Sequence, residues 1–308
     1  MSRIYPIGGG KGGSGKSFVA ANLGVLLAKS GKRVALVDLD LGGANLHTFL
    51  GLKNPSIGLN EFLNKTCTDL NAASVPTSIN NLYLISSSNC PPEVSNLFYA
   101  QKLKIIRAIG KLPYEYILLD LGAGCSFNIL DFFLTSKEGI FIFTPEPTSI
   151  ENTFHFIKAV YSRKMNRIIK GEDFQKILQD IRSQSPDVVI RSPQQLFDLI
   201  LSHDQEKGDV LKEYLNQFDF KLILNQFRKH TDGTIGKKIE KVCTRHFFSN
   251  FEFLGNIHYD ERVHDAVSSR KVYMTKYAYS VTALDLQNIA ERIIKDSTVP
   301  KVRSLGNQ

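Results

Sequence analysis

Gly10-Lys11-Gly12-Gly13-Ser14-Gly15-Lys16-Ser17 is the stretch on which the reading of the fold turns. It fits the pattern G-x-x-x-x-G-K-[S/T], and its setting supports the match. A candidate strand, residues 4–7, stands ahead of the loop, and a helical run, residues 18–29, follows directly. In such a strand–loop–helix unit the glycines let backbone N–H groups turn inward as a nest for phosphate oxygens. The helix behind points its positive end at the same place. Lys16 is then placed to reach β- and γ-phosphates. The Ser17 hydroxyl is placed to ligate Mg2+, an ion that keeps several waters and takes few protein ligands. The alternative is a glycine-rich turn with no ligand.

Two further runs end in acids. Val34-Ala35-Leu36-Val37-Asp38-Leu39-Asp40 reads as a buried strand closed by two carboxylates. Acids at the C-terminal end of a parallel strand face the crevice where ligands bind, and positions i and i+2 share one side of the strand. One aspartate can orient a water for attack on a γ-phosphate and the other can support the metal shell. The alternative is a solvated loop entry. Tyr116-Ile117-Leu118-Leu119-Asp120 repeats the form, and Asp120 is expected to hold Mg2+ through water. Gly122-Ala123-Gly124 follows, a flexible segment suited to sensing a γ-phosphate.

Other short apolar runs lie at residues 82–85, 140–143, 222–224 and 251–254, alternating with helical patterns at 94–110, 150–161 and 283–295. Residues 4–7 are the weakest strand candidate, because Pro6 lacks a donor and must sit where that bond is not needed. The alternation predicts an α/β three-layer sandwich: a mostly parallel, twisted sheet of seven or eight strands with helices on both faces. Residues 164–218 break the rhythm, being polar and helical in pattern over 172–182, 193–202 and 209–218. They are expected to form a helical insertion on a single domain spanning residues 1–295. Residues 296–308, with Pro300 and Gly306, are expected to be a flexible tail.

Bulk properties narrow the classes. The 308 residues are 43% hydrophobic and 22% charged, ordinary for a globular chain. No apolar run reaches the roughly 18 residues needed to span a bilayer, and Met1–Pro6 does not open a signal peptide, so the expected location is cytoplasmic. The four cysteines, Cys67, Cys90, Cys125 and Cys243, include no Cys-x-x-Cys pair, which argues against a zinc ribbon or redox dithiol. The histidines show no metal spacing. The net charge of +8 attracts polyanions without saying which. The densest basic stretch, residues 163–170, reads equally well as a solvated helix face or a binding patch.

Lys11-Gly12-Gly13-Ser14-Gly15-Lys16-Ser17, Asp38-Leu39-Asp40-Leu41 with Asn45-Leu46, and Leu119-Asp120 with Ala123-Gly124 together resemble the deviant Walker A ATPases of the MinD/ParA family. The resemblance covers residues 2 to about 292, interrupted by the insertion. It implies ATP and Mg2+ as cofactors and slow, partner-stimulated ATP hydrolysis. It further implies a homodimer in the ATP state, in which the lysine falling on Lys11 crosses to the partner's phosphates. Slow turnover follows from a lysine, not an arginine finger, at that position. The residue falling on Asp40 positions the attacking water, and the asparagine falling on Asn225 recognises adenine. A loop around residues 257–262 closes over the base; the family usually has proline where His258 stands.

Thr144-Pro145-Glu146-Pro147-Thr148-Ser149-Ile150 and Ile157-Lys158 look most like the FlhG (FleN) branch, which implies regulation of flagellar number and placement with protein partners. Two departures are visible. The activator motif with Asp-Gln that this branch often carries ahead of the first strand is not found, and the stripe Leu286, Ile289, Ala290, Ile293 reads more simply as core than as a membrane helix. Peripheral membrane association therefore stays open. So does a ParA-like role in partitioning DNA or cargo, which the positive charge favours. Two further alternatives are an iron–sulfur carrier, resting on Cys90 and Cys125 alone, and a metabolic P-loop enzyme whose substrate pocket the insertion builds.

Overall fold

The computed structural model describes residues 2–91, 97–184 and 193–298. Strand β1 (Arg3–Gly8) leads through the glycine loop into helix α1 (Lys16–Lys29) and on to β2 (Val34–Leu39). Short helices α2 (Leu46–Phe49) and α3 (Leu59–Leu63) precede β3 (Val75–Pro76) and β4 (Leu82–Ile85). Then come α4 (Tyr99–Ile109), β5 (Tyr116–Leu121), α5 (Phe127–Phe133), β6 (Glu138–Phe143) and the long α6 (Pro147–Ile168). Helices α7 (Glu172–Gln184), α8 (Pro193–His203) and α9 (Gln205–Asn216) occupy the interval before β7 (Asp219–Phe227). Helix α10 (Ile235–His246), β8 (Asn250–His258), α11 (Arg262–Ser268), α12 (Tyr273–Lys276) and α13 (Val281–Thr298) complete the described chain.

One eight-stranded sheet forms in the order β3-β4-β2-β5-β1-β6-β7-β8. All described pairings are parallel except that of β3 with β4. The expected α/β sandwich with helices on both faces is present. The runs of Val, Leu and Ile in β2 and β5 are buried at every position because helices cover both sides. Pro6 lies in the central strand. Arg3, three residues earlier in the strand, donates its amide to Glu115 O on the β5 side. By alternation Pro6 turns its donorless nitrogen toward β6, where the described register begins only at Ile7.

Apolar side chains form two layers. Ile105, Ile109, Phe132, Phe133, Phe156 and Ile157 pack on one face of the sheet. Val19, Leu23, Leu27, Leu286, Ile289 and Ile293 pack on the other. Eleven of the fourteen residues of α1 are buried, so the helix behind the glycine loop is clamped between the sheet and α13. The stripe Leu286, Ile289, Ala290, Ile293 is thus a core stripe in this structure.

Several boundaries differ from expectation. Helix α6 runs to Ile168 instead of stopping near residue 161, because Val160, Tyr161 and Met165 continue its buried stripe. The inserted helices begin only after it. Helix α13 continues to Thr298, so residues 296–298, expected in the tail, are helical. Residues 299–308 of that tail, and residues 94–96 of the helix expected at 94–110, lie outside the described residues.

Candidate functional site

Strand order places the glycine loop at a switch point. From β1 the chain crosses past β5 to β2, and later returns to the other flank at β6, so a crevice opens at the C-terminal strand ends. The loop between β1 and α1 fills it. Gly15 caps α1 with φ 86°, a left-handed conformation that glycine adopts freely. A Cβ at Gly15 would stand 2.1 Å from Asn225 Nδ2, and one at Gly10 would stand 2.0 Å from Asn152 O. At Gly10 the backbone leaves no room for a side chain, and at Gly15 the Asn225 amide would have to withdraw. At Gly12 and Gly13 the space is open, so the loop presents bare backbone outward.

The loop is held from β7. Asn225 Nδ2 donates to Ser14 O at 2.8 Å, and Gln226 Nε2 donates to Gly13 O at 2.9 Å. Gln226 itself has φ 58°, a turn at the strand end that aims its amide at the loop. Lys16 is buried and donates to Lys11 O at 3.3 Å. Burial lowers its pKa, opposed by the charges of Asp120 and Asp40. Lys11 is exposed, and its ammonium donates to Thr148 Oγ1 at 3.3 Å.

The acids converge on the other side of the loop. Asp38 and Asp120 are register partners across β2 and β5, and both are buried. Asp38 accepts the amides of Asp40 and Leu46, each at 3.1 Å, and so fixes the turn that follows β2. Burial raises its pKa well above the carboxylate range, reinforced by Asp120 and opposed by those amides. Burial also raises the pKa of Asp120, against the pull of the Ser17 hydroxyl and Lys16. Neither Asp120 oxygen has a hydrogen-bond partner, and neither does the buried Ser14 hydroxyl. Asp40 is half-buried at the crevice edge, its carboxylate close to Gly43 and Gly122.

Buried polar atoms without partners are costly. An orphaned carboxylate beside a serine hydroxyl, with a second buried carboxylate behind it, fits a hard divalent cation. The open nest of amides, with Lys16 and the unpartnered Ser14 hydroxyl, fits a polyphosphate. The structure therefore gathers Lys16, Ser17, Asp38, Asp40 and Asp120 at one crevice and puts Asn225 against the loop; Lys11 stands at the rim.

Sequence reasoning missed Gln226, Asn152 and Thr148, whose contacts depend on distant chain segments. The cysteines stay apart in chemistry from this site. Burial pushes the Cys90 thiol up to about 12 and raises that of Cys125.

These features define the class: a phosphate-loop nucleotide-binding domain of the doubly wound type. The chain belongs to the family described as the CobQ/CobB/MinD/ParA nucleotide binding domain, which matches residues 6–273. It is similar to the septum site-determining protein MinD of Helicobacter pylori, with 31% identity over 179 residues. That match covers 58% of this chain and 66% of the relative, just under two thirds of its length. MinD of Pyrococcus horikoshii, solved with Mg-ADP, shares the fold with a TM-score of 0.64 at 21% identity, covering 98% of this chain and 100% of that one. A putative plasmid partition protein of Borrelia burgdorferi, bound to AMPPNP, gives 0.63 at 19% identity, covering 96% and 100%.

Proposed function

We propose that this chain is an ATP-driven molecular switch: it binds and hydrolyses Mg-ATP, dimerises in the ATP state, and acts as a regulator of position or number akin to MinD and FlhG. The buried Asp120 carboxylate beside Ser17 carries this reading: neither oxygen has a hydrogen-bond partner, Lys16 offsets its charge only in part, and a bound cation would compensate the rest.

In this reading Gly10, Gly12, Gly13, Ser14 and Gly15 supply the amide nest, and Lys16 neutralises the β- and γ-oxygens. Ser17 and Asp120 hold Mg2+, which supplies electrostatic compensation for the phosphates. Asp38 supports that shell through its charge and by fixing the turn that carries Asp40. Asp40 orients the attacking water. Asn225 borders the nucleoside side. Lys11 leaves Thr148 and crosses to the partner copy.

The protein is expected to act in the cytoplasm, joined at times to a membrane surface, and to take a protein partner that stimulates hydrolysis. No helix among the described residues is long and apolar enough to cross a membrane.

Light scattering of the Asp40→Ala variant tests the switch. The mass should double in Mg-ATP relative to Mg-ADP, and adding Lys11→Ala should abolish the doubling. An equal mass in both nucleotides would sink the dimer reading. The net charge of +8 favours a second reading, DNA partitioning. A salt titration against DNA tests it, since binding through phosphates weakens steeply with ionic strength.

A further inference from the structure

Residues 163–170, the densest basic stretch, belong to a larger cationic face. Arg163 and Arg167 turn toward α5 and share its buried Asp131 with Lys102 of α4. That one acid ties three helices together and is outnumbered by its cations. Helices α4, α5 and α6 cover one face of the sheet. Between them they carry seven lysines and arginines against two acids, Asp131 and Glu151. They therefore hold a net +5 of the chain's +8. A groove between α5, α6 and α7 continues this face: Lys158, Arg163 and Lys170 line it, and no acid does.

Large rings stand out of it. Phe98 is 77% exposed, and Tyr99 and Phe127 are each 68% exposed. Exposed apolar groups that cluster mark a contact surface, whereas scattered ones mean little. These cluster around the Asp131 hub. Lys102 Nζ lies 5.6 Å from the centroid of the Tyr99 ring, and the Arg163 guanidinium lies 4.7 Å from that of Phe127. Tyr99 is also close enough to act on Arg163 electrostatically. Phe98 and Tyr99 open α4 and Phe127 opens α5, so the rings stand at the C-terminal ends of the strands, the same end as the crevice.

We propose that this face docks on an anionic lipid surface, with Phe98, Tyr99 and Phe127 entering the headgroup boundary and the cations of α4 and α6 meeting lipid phosphates. The inference deepens the membrane association proposed above and rests on it, not on the ATP switch. A cationic face alone would suit any polyanion. The protruding rings select one with an apolar interior beneath its charge, since rings settle at that boundary and nearby lysines and arginines strengthen the attraction. Duplex DNA offers phosphates but no apolar layer for the rings to enter. Phe127 lies three residues after Gly124, so a docked membrane would border the segment that follows Asp120.

The chain has no tryptophan, so Phe127→Trp gives the full-length protein a single reporter on this face. Its emission should shift to the blue, and be quenched by brominated acyl chains, on vesicles of equal parts phosphatidylglycerol and phosphatidylcholine. Vesicles of phosphatidylcholine alone should leave it unchanged. Tyr279→Trp, at a 97% exposed position beside α13 on the other face, should stay unshifted on both. In sedimentation with the mixed vesicles, Tyr99→Ser and Phe127→Ser should each weaken binding about tenfold. Lys158→Gln and Lys170→Gln should each weaken it about fivefold. Tyr279→Ser should bind like wild type, and melting curves verify folding. Vesicle binding with Tyr279→Trp shifted and Phe127→Trp unshifted would overturn this face and leave membrane association standing. Wild type that ignores both kinds of vesicle would overturn membrane association and this inference together, whatever light scattering shows of the ATP switch. A Phe127→Trp emission that responds to a single-stranded DNA oligonucleotide and not to vesicles would overturn the lipid assignment in favour of nucleic acid.

Discussion

Replacing Gly15 by alanine should damage the phosphate loop in two separable ways. The φ of 86° places an L side chain in the left-handed region, at about 1–2 kcal/mol. The new Cβ would also stand 2.1 Å from Asn225 Nδ2, so the amide must withdraw. Its 2.8 Å bond to Ser14 O then breaks and leaves a buried carbonyl unpaired, at about 1–3 kcal/mol. Together these make about 2–5 kcal/mol against the binding conformation, or roughly 30-fold to a few thousandfold in Kd. In an Asn225→Ala background only the φ contribution remains, and the same change should weaken binding roughly 5- to 30-fold. Calorimetric Kd values for Mg-ADP across the four proteins form the cycle, with melting curves to verify folding. Equal losses in both backgrounds would refute the contact argument. A loss under about threefold in the Gly15→Ala single variant would refute the loop assignment itself.

Asp131 on α5 is buried among Lys102, Arg163 and Arg167, with two bonds from Arg163 at 2.7 and 2.9 Å. Burial alone would raise its pKa, but the hydrogen bonds from Arg163 and Lys102 and the charge of Arg167 hold it at about 2. Its stabilisation is therefore complete above the ordinary carboxyl range and lost as pH falls toward about 2. Asp131→Asn should lower stability by about 3 kcal/mol at neutral pH, mainly by leaving Lys102 buried without its counter-ion. Urea midpoints at pH 7 and pH 3 should show a gap that shrinks with acid; a gap of constant size would contradict this. Lys221→Met should cost about 3 kcal/mol or more, since the buried ammonium sits 2.7 Å from Glu252, 3.1 Å from Asp296 and 3.3 Å from Asp219. A midpoint equal to wild type would mean that Arg3 and Arg292 suffice for those acids. Asp120→Asn should raise the melting temperature of the nucleotide-free chain by a few degrees, by removing a buried charge that faces Asp38, while abolishing the Mg2+ dependence of nucleotide binding. A lower melting temperature would show that the charge is compensated by the protein alone.

The fold was legible wherever one local rule sufficed. The glycine spacing fixed a strand–loop–helix, and the apolar runs of β2, β4, β5 and β6 announced strands buried on both faces. Strand β7 was seen only at residues 222–224, because Lys221 looks like a boundary. It is in fact buried, tolerated by carboxylates from β7, β8 and α13 that lie far apart in sequence. Strand β3 escaped notice because two residues, one of them Pro76, carry no periodicity. Within the site, the motif residues were legible and their supports were not. Gln226 on Gly13, Thr148 on Lys11 and Asp285 on His258 bridge segments that only the sheet order brings together. Asp38 reads from sequence as a group for the metal shell. The structure adds a second duty, since both its oxygens already take backbone amides.

The two ends of the sheet treat buried charge in opposite ways, and the contrast bears on function. At the N-terminal strand ends, Arg3, Lys221 and Arg292 are interleaved with Glu138, Asp219, Glu252 and Asp296, so each buried ionic group meets an opposite charge. The C-terminal helix is thereby locked to β7 and β8. At the C-terminal ends, Asp38 and Asp120 face one another in register, and the oxygens of Asp120 have no partner. A chain able to neutralise one end so fully has left the other incomplete, and such local cost persists where a ligand repays it. In the proposed reading the crevice is completed by cation and phosphate together. That makes the turns carrying Asp40 and residues 122–126 sensitive to what is bound, which is the physical requirement for a switch.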